Sequence, residues 1–340
     1  MRTQVMVVVL SCLLCACASI QERSVKVDEK IMMPVFYGTD RLQDDEKSLK
    51  KTYTRDRGDT GFGVAYIDKF DQGNKANLVK LSPMTPEQYL QKLNAAIQHS
   101  TDKTVLIFVH GYNRSFEQSS ENIAKLTYKS GYRGVPVLWS WPSRKNPAAY
   151  TVDVVNMRWS RPHLAELIED VIEHTSARSI HLIGHSLGAR SLVNVVLQDI
   201  IDDVPTSRIG EVVLLAPDID AAIFKNDQAP RLVKAGLVVT LYTSTNDNAM
   251  AVSHAIHGHP RAGDSRKGPI IVAGIETIDV TDANNSVIGH SYFKESGMVA
   301  NDLGQLLNDR LPAAKRTNLV TNKGPSGQYW SLNANPAMSK

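Results

Sequence analysis

Hydrophobic and polar positions alternate in blocks along this chain. Several short stretches are apolar at almost every position and rich in β-branched residues: KTVLIFVHG (103–111), VPVLWS (135–140), SIHLI (179–183), EVVLLA (211–216) and LVVTLY (237–242). Continuous runs of this kind suit strands buried on both faces of a parallel sheet. Met33–Arg41 could begin the first strand, and Gly63–Ile67 reads as another short one. Ile270–Ala273 and Glu276–Val280 read as late strands.

Between the runs lie segments of helical periodicity. Thr85 followed by Pro86 gives an N-cap and a proline at the first helical position, predicting a helix to about Gln98. Phe116–Ser130 reads as a helix. Trp159–Pro162 opens another, with Ser160 as its expected cap and apolar spacing through Leu164, Leu167, Ile168 and Val171. Ala189–Ile201 and Met298–Leu311 complete the set. Arg41–Asp59 is dense in charge and reads as a loop. From Pro312 the chain is polar and is assigned no structure. Strands alternating with helices imply right-handed crossovers and an α/β fold with a doubly wound, mostly parallel sheet and helices on both faces. Sites in such sheets sit at the carboxyl ends of strands.

The N-terminus changes the picture of where the protein resides. One positive charge precedes an apolar run from Val5 to Leu14. That run is too short to span a bilayer and looks like a secretory signal. It ends in LCAC (14–17), which resembles a bacterial lipobox, with cleavage before Cys17 and lipid on that cysteine. Ala18 after it resembles outer-membrane sorting. Several acyl chains would anchor stably, at about 0.8 kcal/mol per buried methylene. The division expected is signal peptide 1–16, lipidated tether 17–32, a main α/β domain 33–311 and polar tail 312–340. All three cysteines lie at the N-terminus (Cys12, Cys15 and Cys17), so the mature domain would carry no disulfide. A net charge of +3 leaves no footprint for nucleic acid.

The chemistry centres on GHSLG (184–188), a G-x-S-x-G pattern after a strand and before a helix. A serine hydroxyl near neutral pH needs a base within hydrogen-bond reach, and the base needs an orienting carboxylate. On this architecture the partners follow in the order serine, acid, histidine. His290 lies late, on a loop after a strand, and is favoured over His254, His257 and His259, which fall in a helix and its exit, and over His185, whose side chain should point away from that of Ser186. Asp247 follows an apolar strand and precedes His290; Asp218 and Asp220, after the preceding strand, are the second choice. The Leu187 amide opens the helix and can face an oxyanion. A second donor is expected from Tyr112 or Asn113, with Tyr112 preferred, and His110 reads as a structural hydrogen-bonding residue.

FYGTDR (36–41), FVHGYN (108–113), WSWPS (139–143), GHSLG (184–188), APDID (216–220) and GHSY (289–292) together resemble a bacterial α/β-hydrolase family, lipase- or esterase-like, long catalogued as a domain of unknown function. The resemblance spans roughly residues 33–300. It implies the hydrolase fold and a serine triad of Ser186, Asp247 and His290, and its pattern through DNAM (247–250) to PRAGD (260–264) supports Asp247.

The expected activity is cleavage of small-molecule or lipid carboxylic esters at the bacterial envelope, without metal or organic cofactor. A thioester or amide would suit the same triad, and a non-catalytic binding module on the same scaffold is the rival of another class. His254, His257 and His259 with Asp264 are weighed as a metal site and set aside. Trp139, Trp141, Tyr150 and Trp159 suit an acyl pocket or plain packing, and segments 144–158 and 219–236 suit lids or ordinary crossovers. Arg41 and Arg144 have no assignable partner. Oligomeric state is not legible.

Overall fold

The apolar runs pair as parallel strands. The computed structural model describes residues 32–44, 47–68, 76–283 and 296–333. The N-terminal signal and lipobox, and His290, lie outside the described residues. Strands β1 (Met33–Gln43), β2 (Tyr53–Ile67), β3 (Leu78–Met84), β4 (Thr104–Val109), β5 (Val135–Ser140) and β6 (Ser179–His185) form one half of the sheet. β7 (Ile209–Leu215), β8 (Val238–Thr243), β9 (Ile275–Asp279), β10 (Leu319–Gly324) and β11 (Gly327–Leu332) form the other. The order is β10-β11-β9-β8-β7-β6-β4-β5-β1-β2-β3. Every pairing from β11 through β1 is parallel, and antiparallel hairpins close the two edges.

Alternation along β4 shows why its run is apolar throughout. Val105, Ile107 and Val109 face one core; Leu106 and Phe108 face the other. The first core is closed by α1 (Pro86–His99), α4 (Arg161–His174) and α5 (Leu187–Val195); the second by α2 (Phe116–Ser130) and a late helix, Gly297–Asp309. α1 and α2 begin with complete capping boxes at Thr85 and Ser115, in each of which side chain and backbone satisfy one another reciprocally.

Four expectations are corrected. The charged stretch 41–59 is largely strand: β1 runs on to Gln43, and β2 begins at buried Tyr53 and continues through exposed and half-buried residues to its buried segment at Phe62. A solvated hairpin end satisfies its backbone by pairing and needs no apolar pattern. Ile270–Ala273 is not a strand. Ser160 precedes α4, but its hydroxyl accepts from the Trp139 indole instead of capping the helix. The polar segment from Pro312 carries β10 and β11, so the sheet extends past Leu311. Trp330 and Ser331 pair with Ile278 and Asp279 of β9, and buried Arg316 binds Asp302 at 2.8 Å and Glu276 at 2.6 Å. Pairing and a buried ionic cluster order this tail, and neither leaves a hydrophobic signature.

Candidate active site

β4, β6, β7, β8 and β9 run parallel, so their carboxyl ends share one edge of the sheet. Ser186 follows β6 at φ 55°, ψ −122°, a backbone conformation an L-residue adopts only when its surroundings impose it. Those surroundings are visible. The Ser186 amide donates to the Leu215 carbonyl at 2.9 Å, and the Asp218 amide donates to the Ser186 carbonyl at 3.1 Å. A side chain at Gly188 would overlap the His110 carbonyl oxygen, and one at Gly184 would overlap the Ala189 backbone. Both glycines therefore let the backbone fold sharply between β6 and α5. Leu187 is the first residue of α5, whose N-terminal dipole favours negative charge at the serine.

The loop after β4 forms one wall. His110 is buried and stacks on Trp141 at 5.0 Å. Its Nδ1 donates to the Gly111 carbonyl at 2.8 Å, leaving Nε2 to accept from the Arg41 guanidinium at 3.4 Å. Burial first, then the Arg41 charge, holds the ring well below the ordinary histidine range, so it is neutral. Its expected structural role is what its contacts fit.

Arg41, which had no assignable partner, is buried behind this loop. It donates to Ser140 Oγ at 2.9 Å and to the Thr54 and Arg114 carbonyls at 3.1 and 2.9 Å. Burial pulls its pKa down to about 9, while Asp40 and Asp153 push it up, so it stays charged at neutral pH. Asp153 of α3 (Tyr150–Trp159) accepts from Ser143 Oγ at 2.6 Å, from the Arg144 amide at 2.8 Å and from the Asn113 amide. Arg144 itself pairs with Asp56 at 2.7 Å on the surface.

A cleft of about 310 Å³ opens in front of Ser186. Tyr112 and Tyr150 line it on one side, their rings edge to face at 5.4 Å. α8, as we number the helix Asn248–His257 (α6 and α7 being the short turns Ala221–Ile223 and Ala229–Lys234), lines the other. The helix Gly297–Asp309 is α9. Of the four aromatic residues weighed for an acyl pocket, Tyr150 reaches the cleft; Trp139 and Trp141 are core.

Asp218 borders the cleft at 1% exposure with both carboxylate oxygens engaged. Oδ1 accepts from Arg261 Nε at 2.7 Å and from Ser253 Oγ; Oδ2 accepts from the Tyr150 hydroxyl. Burial raises its pKa, but Arg261 and the two hydroxyls more than offset that and hold the carboxyl below its usual range. Asp247 lies just past β8, fully buried, with Oδ1 accepting the Met250 amide at 3.1 Å as the cap of α8. The chain leaving β9 reaches the turn before Asp247, where the Thr245 amide donates to Thr281 Oγ1 at 3.0 Å. His257 is turned onto its own helix, Nδ1 donating to the Ser253 carbonyl at 2.9 Å. Among the described residues no histidine is hydrogen-bonded to the Ser186 hydroxyl, and no cluster of side chains suits a metal ion.

Residues 86–310 match the model of a family described as alpha/beta hydrolase of unknown function (DUF900). The chain belongs to this family. No curated protein matches it. Similar solved structures include a carboxyl esterase of the mycorrhizal fungus Tuber melanosporum, 14% identical over 74% of this chain and 83% of that one, with a TM-score of 0.37. A thermostable esterase from Pseudomonas putida is 13% identical over 84% of each chain, with a TM-score of 0.38. A predicted CIB-like hydrolase from Thermoplasma acidophilum is 12% identical over 72% of this chain and all of that one, with a TM-score of 0.36. The hydrolase family accounts for the resemblance carried by the glycine-flanked serine and the blocks around it. Sequence reasoning passed over Arg261 and Asp153. Arg261 stood inside the PRAGD block that accompanies Asp247; Asp153 had no signal, being one acidic residue on a helix.

Proposed function

We propose that this hydrolase cleaves carboxylic esters through an acyl-enzyme intermediate, with Ser186, His290 and Asp247 as its triad. The observation that carries the reading is Ser186 itself, held at a strained φ of 55° on the turn between β6 and α5 and bordering an open cleft. Strain of this kind persists only where the fold over-determines it, and it clusters at working residues.

In the proposed route the Ser186 hydroxyl adds to the ester carbonyl as the His290 imidazole takes its proton. The Asp247 carboxylate orients the imidazole and stabilises its charged form. Negative charge on the former carbonyl oxygen is met by the amides of Leu187 and Tyr112. Collapse breaks the ester bond; the leaving alcohol takes the proton from His290 and the acyl group stays on Ser186. Water, deprotonated by the same imidazole, then releases the acid and restores the serine.

The site of action proposed is the bacterial envelope, with Cys17 lipidated and the outer membrane as destination. Cys17→Ser should abolish lipid incorporation and membrane retention; retention unchanged would remove this part of the reading. The catalytic part is tested by fluorophosphonate labelling of the full-length protein beside Ser186→Ala, with p-nitrophenyl esters assayed in parallel. Labelling and turnover that vanish in the variant are expected. A folded wild-type protein that neither labels nor turns over would point to a binding module on a hydrolase scaffold.

A further inference from the structure

The two sides of the cleft differ in a way that bears on what enters it. On α8, Ala249, Val252, Ser253 and Ile256 border the cleft at helical spacing, forming one stripe. Ser253 turns its hydroxyl onto Asp218, so the surface the stripe offers is apolar, widened by Met250 beside it. Val252 is 60% exposed and Ile256 54%. A helix beside a serine at a strained turn thus presents branched aliphatic side chains to water. Across the cleft the hydroxyls of Tyr112 and Tyr150 are spent on the Asn146 carbonyl and on Asp218, and the rings remain as the lining. Asp218, the one charged residue among the described residues bordering the cleft, is paired with Arg261.

We infer that the groove between α8 and the Tyr112–Tyr150 pair holds an uncharged apolar acyl chain of the substrate, with Val252 and Ile256 setting the preference for its length. This rests on the ester-hydrolase reading above. Among the described residues bordering the groove none is cationic, so an anionic substituent there would lose water without a close counter-charge. An aliphatic chain would cover apolar side chains now exposed, with Asn248 as the polar residue at the start of that wall. At about 310 Å³ the space is at the small end for ligand sites. At about 30 Å³ per water-sized group it accommodates roughly ten heavy atoms, a medium chain of about eight carbons with its carbonyl.

The experiment uses the full-length protein and p-nitrophenyl acetate, butyrate, hexanoate and octanoate. Expected is a rise in kcat/KM of about fourfold per added methylene, levelling near eight carbons. Val252→Asp and Ile256→Asp should flatten that rise, whereas Val320→Asp, an exposed valine on β10, should leave the ratio of octanoate to acetate unchanged. In parallel, calorimetry follows the binding of the same esters to Ser186→Ala. Turnover of all four esters without a length preference, or a preference surviving both aspartate variants, would overturn the groove while leaving the catalytic reading intact. Length-dependent binding to Ser186→Ala in a protein whose wild type neither labels nor turns over would support the groove and remove the catalytic reading. Length-independent binding with an inactive wild type would remove both.

Discussion

Two strand ends next to the serine each deliver a buried aspartate, and the two aspartates are used differently. Asp218, past β7, has both oxygens occupied by an arginine, a tyrosine and a serine drawn from three other segments. Asp247, past β8, uses one oxygen to cap α8 and lies where the chain coming off β9 returns to the same edge. A triad acid must present an oxygen to an imidazole, and the Asp218 oxygens already face an arginine, a tyrosine and a serine. Nearness to the nucleophile is therefore a poor guide to the acid. Asp218 serves as a post: Tyr150 from one wall of the cleft, Ser253 from the other and Arg261 from the segment beyond α8 all hang on it.

The largest effect should come from removing the cation of that post. Arg261→Ala leaves a buried carboxylate unpaired and should cost about 3–5 kcal/mol of stability, read by denaturant unfolding. A loss under 1 kcal/mol would mean the post carries little. Glu211, toward the opposite end of β7, shows what a buried carboxyl does without a close cation. It is 5% exposed with Oε2 unpartnered, and burial, aided by Glu276, lifts its pKa from 4.5 to about 7. A raised acid binds its proton more tightly in the folded state, so stability is full below about pH 4.5 and falls as pH rises toward 7. Glu211→Gln should match the wild type near pH 4.5 and exceed it by about 3 kcal/mol at pH 8, at 1.36 kcal/mol per unit. Equal stability at both pH values would contradict the contrast with Asp218. Smaller still, Tyr150→Phe removes one hydrogen bond to a charged acceptor and should cost about 1.5–3 kcal/mol, with a raised KM as one cleft wall loosens. An unchanged melting temperature and KM would show that Tyr150 does not hold that wall.

Much of this organisation could be read from the chain. The parallel strands were legible because burial on both faces forces unbroken apolar runs, and α1 and α2 because their caps are local chemistry. Ser186 was legible because a sharp turn between strand and helix demands glycine at 184 and 188. What escaped was held by distant polar contacts. Asp218 meets Arg261 across 43 residues, and Arg41 meets Ser140 across 99. α3 was missed because its buried positions are Asp153, Asn156 and Met157, not an aliphatic stripe. β10 and β11 were missed because both bury little; Leu332 is their buried position. His290, the expected base, lies outside the described residues and stays a proposal from order and context.

The most direct test of the account sets Asp247→Asn beside Asp218→Asn and measures kcat with a soluble ester. The account predicts a loss on the order of 10⁴-fold in kcat for Asp247→Asn with the fold intact, as expected when the imidazole loses its orienting carboxylate. For Asp218→Asn it predicts a lower melting temperature and a raised KM with kcat changed less than about tenfold, since a neutral amide weakens the post without touching the reacting atoms. The reverse pattern, with kcat collapsing in Asp218→Asn and surviving in Asp247→Asn, would contradict the account and make Asp218 the acid.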